Sequence, residues 1–186
     1  MPAAAPHPDE AARLAKLRSY DILDTDREPG FNDIARLAAL ICETPIAAIS
    51  LIDRERQWFK AAVGMPVDET TRDLAFCAHT ILQHEVLQVR DASLDSRFAD
   101  HPMVLDEPRI RFYAGAPIVT QDGHPLGAVC VIDRVQKTLS DEQRTALEAL
   151  ARLTMMLFEL RHKARHYEEL NRKLNSELAE LRRDLM

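Results

Sequence analysis

Few side chains in this chain of 186 residues are spaced for chemistry, and the patterns that are present read one by one as structure. His162 and His166 stand four apart in a helical stretch, the spacing at which imidazoles on adjacent turns can chelate a metal ion. No third ligand accompanies them and both belong to a solvent-facing helix side, so no metal site is expected. Cys42, Cys77 and Cys130 are odd in number, widely separated and without a CxxC pair, which indicates neither a disulfide frame nor zinc. Each lies among apolar neighbours and reads as a small core residue. Seryl nucleophile patterns, paired catalytic carboxylates and phosphate-binding glycine loops are absent, and five glycines leave little scope for a hidden one. The chain is therefore expected to have no catalytic activity of its own.

The bulk properties narrow the partners. A net charge of −6 without a concentrated Lys/Arg cluster argues against nucleic acid, whose phosphates demand one. No apolar run reaches the ~18 residues of a membrane span. The opening MPAAAPHPDE lacks the basic start and apolar core of a signal peptide. A cytoplasmic location with no membrane partner follows as the expectation.

The elements that must position any site follow from periodicity. Residues 1–9 form an Ala- and Pro-rich tail expected to be disordered. Helical spacing covers residues 10–20 and again 31–42, where Phe31, Ile34, Leu37, Ala38 and Ile41 make one apolar face. Pro45 ends that helix, PIAAISLID reads as a buried strand, and residues 57–63 read as its hairpin partner. A short helix at 74–83, a strand at 86–89 and a polar loop, DASLDSRFADHP, come next. Two β-rich runs at 110–120 and 125–133 flank an Asp122-Gly123 turn, the clearest hairpin in the chain. Ser140, followed three residues later by Gln143, opens a long final helix with a capping box. Adjacent hairpins with helices at both ends predict an antiparallel α+β sheet, with the terminal helices together on one face. The central helix and its loops are then left for the other face, where a pocket can form.

The final helix carries a heptad ladder. Leu150, Leu153, Leu157, Leu160, Ala164, Tyr167, Asn171, Leu174, Leu178, Leu181 and Leu185 recur with alternating gaps of three and four, uninterrupted by Pro or Gly. With Leu150 at a, Asn171 also falls at a, where a polar residue lowers stability but favours a parallel two-stranded arrangement in register. Facing g and e positions pair Lys163 with Glu168 and Glu177 with Arg182, both attractive. A homodimer through a coiled-coil stalk is expected, with Leu153 to Leu185 of the ladder forming the seam.

Six blocks taken in order, RLAKLRSYDILDT, PIAAISLIDRERQWFKAAVG, FCAHTIL, VRDASLDSRFADHPMV, IRFYAGAPI and PLGAVCVIDR, resemble GAF domains. The resemblance is to the bacterial kind found at the N-terminus of sensor histidine kinases and diguanylate cyclases, and it runs from Arg13 to about Arg161. It implies a GAF-like antiparallel sheet flanked by helices over residues 10–160, with residues 161–186 as a coiled-coil extension of the last helix. It also places pocket candidates: Trp58 and Phe59 on the second strand, Cys77 and His79 on the central helix, Asp91, Arg97 and Phe98 in the following loop, and Arg111 and Tyr113 at the start of the next long strand. Such a set suits a planar or anionic small molecule, although each member has an ordinary structural role open to it, such as Arg97 pairing with Asp91. The resemblance names no ligand, because GAF domains bind cyclic nucleotides, tetrapyrroles, haem, small metabolites or nothing detectable.

Two sharper chemistries attach to the same family. GAF photoreceptors carry a bilin on a cysteine usually followed directly by His. Here the order is Cys77-Ala78-His79, and the one-residue shift turns the imidazole about 100° further round the helix, so no covalent chromophore is expected. GAF-fold methionine sulfoxide reductases group their cysteines around a pocket. With Cys42 on the second helix and Cys130 on the last strand, neither is expected to reach Cys77, and redox chemistry is not expected. The resulting expectation is a sensory or regulatory module that relays small-molecule or partner binding, with a histidine kinase or diguanylate cyclase as output partner. The alternatives are a dimerisation module with no ligand, or the sensor fragment of such a kinase or cyclase.

Overall fold

The computed structural model describes residues 3–65 and 67–184. Helices α1 (Glu10–Ser19) and α2 (Pro29–Cys42) precede strands β1 (Ile46–Ile52), β2 (Arg56–Val63) and β3 (Glu69–Thr71). A single 3-10 turn at Arg72–Leu74 leads into helix α3 (Phe76–Thr80) and strand β4 (Leu87–Val89). Helix α4 (Pro102–Leu105), strands β5 (Phe112–Val119) and β6 (Pro125–Asp133) and helix α5 (Asp141–Asp184) complete the order. The strands form one antiparallel sheet in the order β3-β2-β1-β6-β5-β4.

Strand pleating divides the interior into two cores, because successive side chains leave opposite faces. On one face, Ala47, Ile49 and Leu51 of β1, Val129 and Val131 of β6 and Phe112 and Ala114 of β5 pack beneath α1, α2 and α5. On the other, Ile46, Ala48, Phe59, Tyr113, Cys130 and Ile132 meet α3 and the loops that follow it. Gly115 lets this second face close: a Cβ there would collide with Tyr113 Oη and lie 2.9 Å from Thr80 Oγ1.

Three local features depart from the sequence reading. The third helix covers only Phe76–Thr80 of the expected 74–83, and a 3-10 turn ending at Leu74 precedes it. Strand β3 has three residues and no buried one, so it carries no alternating signal and exists through its ladder to β2. The β1–β2 pairing slips between Ile49 and Ser50, so that Ala61 and Phe59 face them and Lys60 is the extra residue. That bulge sends Lys60 and Ala61 to the same side. The Lys60 ammonium is thereby buried at the start of α2, donating to Glu28 Oε1 (2.7 Å), Asp26 O (2.6 Å) and Thr25 Oγ1 (2.9 Å).

Helix α5 begins with the capping box, Gln143 N donating to Ser140 Oγ (3.2 Å) and Ser140 N to Gln143 Oε1 (3.0 Å). Its first part lies on the sheet through Leu147, Leu150, Ala151, Met155 and Phe158. From His162 to Arg183 every side chain is exposed. Leu150, the first ladder residue, is buried in the head, whereas Leu153, Leu160, Tyr167, Leu174, Leu178 and Leu181 are exposed. Leu157 is half-buried beside Gly30; Ala164 and Asn171 are exposed, and Leu185 lies outside the described residues. No helix among the described residues is long and apolar enough to cross a membrane.

Candidate functional site

The face of the sheet opposite α5 holds a cavity of about 400 Å³, within the size range of small-molecule sites. Its floor is Ile46, Phe59, Cys130 and Ile132 from three strands, its sides Phe76 and Cys77 of α3 with Tyr113 of β5, and its mouth Met65, Val67, Met103 and Pro108. Polar groups are few: Gln57 and Thr70 at one side, Glu107 and Arg134 at another. Gln57 is engaged within the protein, its Nε2 donating to Ser50 Oγ (2.6 Å) and its Oε1 accepting from Thr70 Oγ1 (3.1 Å). Such a lining is chemically suited to a mostly apolar molecule.

Of the candidates read from the sequence, Cys77, Tyr113 and Phe59 line this cavity. The others are elsewhere. Trp58 belongs to the helix-side core, because the pleat that turns Phe59 into the cavity turns its neighbour away. Phe98 is fully buried and stacked on Phe76 at 4.2 Å between ring centroids, so it supports the cavity wall from behind. His79 packs edge-on against Phe98 with its Nε2 buried and unpartnered; burial and the Arg97 charge hold its pKa below the usual imidazole value. Arg97 pairs with Asp95 (2.6 Å), not Asp91, and Asp91 accepts from Ser93 N (3.0 Å) and Oγ (2.6 Å) in a local turn. Arg111 straps α4 to β5 by donating to Val104 O and Ile110 O, both at 3.0 Å.

One sequence expectation is overturned outright. Cys130 does join Cys77: both line the cavity and belong to the same buried cluster. The β5–β6 register sets Cys130 opposite Gly115 and Ile132 opposite Tyr113, which brings Cys130 under the α3 side of the sheet. Thr80 Oγ1 hydrogen-bonds Tyr113 Oη, which donates in turn to Cys77 Sγ (3.2 Å). Burial pushes the Cys77 thiol up, but the polar groups around it, with the Tyr113 hydroxyl donating at 3.2 Å, outweigh it and bring it below its ordinary value. Cys130 is held well above the usual thiol range by the neighbouring Cys77 sulfur and by burial. Tyr113 is likewise raised by burial and by the Cys77 sulfur. Cys42 lies in the other core, where burial pushes it up to about 11. The missed signal was countable: from the Asp122-Gly123 turn, β6 alternation puts Cys130 on the same face as Tyr113.

A family model described as GAF domain matches residues 26–157. The chain belongs to the GAF domain family. A protein of Pseudomonas aeruginosa named cyclic di-GMP phosphodiesterase is 44% identical over 155 residues, which cover 82% of this chain and 26% of that protein. The chain thus spans about a quarter of that relative's length. Among solved structures, the GAF domain of an Acinetobacter phosphoenolpyruvate-protein phosphotransferase shares the fold with a TM-score of 0.61 at 16% identity, covering 83% of this chain and 98% of that one. The type II free methionine-R-sulfoxide reductase of Thermoplasma acidophilum gives 0.58 at 15% identity, covering 69% of this chain and 89% of that one. The Pseudomonas relative corrects the expectation of a chain without catalytic activity: a protein that shares most of this chain is named an enzyme. That expectation weighed only motifs within the chain.

Proposed function

We propose that this GAF domain is a regulatory segment of cyclic di-GMP signalling, which holds a small, mostly apolar molecule between the sheet and α3 and passes its occupancy to α5. The observation that carries this is the cavity of about 400 Å³ on one sheet face with the base of α5 packed on the other. A change in sheet packing on one side therefore changes the seat of the helix on the other. The cavity has one cation, Arg134, and one carboxylate, Glu107, on an apolar lining, which suits neither of two phosphates nor two guanines. Cyclic di-GMP is accordingly the currency of the output and not the guest. The Pseudomonas relative's name supports phosphodiesterase as that output in place of a kinase or cyclase.

The exposed ladder from Leu153 to Leu181 supports a parallel homodimer through α5, in which a rotation or register change of the two helices carries the signal. A ligand moves such an equilibrium only by its differential affinity for the two packings. The site residues of this reading are Phe59, Phe76, Cys77, Tyr113 and Ile132, and its setting is the cytoplasm. It is tested by grafting this chain onto the Pseudomonas phosphodiesterase in place of the matching segment and measuring cyclic di-GMP hydrolysis. Filling the cavity with Ile132→Trp should change the rate severalfold at constant KM. Identical rates for the two grafts, both folded, refute the coupling.

A further inference from the structure

We infer that Cys77 and Cys130 form an oxidisable dithiol that reacts with apolar organic hydroperoxides entering the cavity, closing a disulfide between α3 and β6. This rests on the cavity of the proposed function being open to small molecules, and it adds a reaction to that site.

Three observations carry it. Both sulfurs line the same cavity although the two residues are otherwise only 1% exposed, so the cavity is their route to solvent. Cys77 on α3 and Cys130 on β6 line the same cavity and belong to the same buried cluster, and α3 packs directly on β6, so closure to the ~2 Å of an S–S bond draws together two elements that are already in contact. The Tyr113 hydroxyl, itself tied to Thr80, donates to Cys77 Sγ at 3.2 Å, and this hydrogen bond favours the thiolate over the thiol. The asymmetry assigns the roles. Cys77, whose sulfur accepts from the Tyr113 hydroxyl, attacks; Cys130, with no such donor among the described residues, resolves. The apolar mouth of Met65, Val67 and Met103 selects a hydroperoxide carrying a hydrocarbon group.

The steps balance. The Cys77 thiolate attacks the outer oxygen of the hydroperoxide, the S–O bond forms as O–O breaks, and the leaving alkoxide takes up the proton that Cys77 had released. Cys77 is then a sulfenic acid. The Cys130 sulfur displaces its hydroxyl, S–S forms as S–O breaks, and the Cys130 proton leaves with the hydroxide as water. In sum, two thiols and one hydroperoxide give a disulfide, an alcohol and water. The product ties α3 to the strand whose other face seats the terminal helices.

Treatment of the whole protein with cumene hydroperoxide, followed by denaturation and alkylation, reads the result directly. Alkylatable thiols should fall from the three of the chain to one, with a mass loss of two hydrogens and a Cys77–Cys130 linked peptide. A reductant should restore all three. Cys130→Ala should stop the reaction at a Cys77 sulfenic acid trapped by dimedone, and Cys42→Ala should change nothing in the cross-link. Cumyl alcohol, of matching shape but without the O–O bond, should raise the melting temperature and slow the oxidation. Three free thiols after treatment of the folded wild type, or a linkage that includes Cys42, overturns the inference. If cumyl alcohol still raises the melting temperature in that case, the cavity reading of the proposed function stands without it.

Discussion

Removing the carboxylate charge of Glu28 should loosen the base of α5. One oxygen, Glu28 Oε1, receives both Lys60 Nζ at 2.7 Å and Arg161 Nε at 2.9 Å, and so joins the β2 bulge to the helix that leaves the head. Arg161 and Arg165 also donate to Asp21 O, each at 3.0 Å, which fastens the same turn to the end of α1. Breaking a fully buried ion pair by deleting one partner costs ~3–5 kcal/mol, because the other charge is left uncompensated. Lys60 is fully buried, but the Glu28 side chain is 40% exposed, so water screens the pair and the cost falls to about 1–3 kcal/mol for Glu28→Gln. Lys60→Met removes the buried charge itself and replaces its stem with apolar volume, so it should cost less than about 1 kcal/mol. Urea denaturation gives both values, and hydrogen exchange of residues 157–166 shows the consequence for α5. Glu28→Gln should speed exchange there, and Lys60→Met should do so much less, since Glu28 keeps Arg161. Equal costs for the two variants, or unchanged exchange in Glu28→Gln at lowered stability, would refute the argument that this carboxylate joins sheet and stalk.

Three further outcomes are expected. Burial pushes the Glu10 carboxyl up, but hydrogen bonds and charges from Arg13 and Arg72 outweigh it and hold it at about 2, below its ordinary 4.5. Its contribution is therefore complete above pH ~4.5 and lost as pH falls toward 2, and Glu10→Gln should flatten that part of an acid titration followed by circular dichroism. Gly115→Ala should destabilise the head by roughly 1–3 kcal/mol through its collision with the Tyr113 hydroxyl, and Tyr113→Phe in the same chain should recover part of that loss in a denaturation cycle. Asn171→Leu should raise the stability of the α5 assembly while broadening its oligomer distribution in analytical ultracentrifugation, since a buried amide pair specifies register at a cost in stability.

The long elements were legible because they carry their own signals. The capping box at Ser140 and Gln143 forms as read, and the Asp122-Gly123 turn closes the β5–β6 hairpin. Strand β3 was not legible, since an exposed three-residue edge has no hydrophobic period. The candidate site was legible only in part. Tyr113 and Cys77 share the cavity, but Trp58 was grouped with Phe59 by adjacency when the pleat separates them. Arg97, Arg111 and Asp91 are charges near the expected pocket, yet each is engaged by a close neighbour in sequence: Arg97 by Asp95, Asp91 by Ser93 and Arg111 by Val104 O. Counting from the Asp122-Gly123 turn places Cys130 on the α3 side of the sheet, but only the packing of α3 on β6 brings Cys77 to the same cavity. The bulge at Lys60 is of the same kind: an inserted residue in a strand is visible only once its partner strand is known.

Native mass spectrometry of the purified protein tests the central claim most directly, because it reports stoichiometry and cavity contents together. The account predicts a dimer that carries a mostly apolar small molecule, with the molecule absent from Ile132→Trp while the dimer persists. A monomer at micromolar concentration, or a wild-type dimer that neither carries such a molecule nor takes up added cumyl alcohol, would contradict it.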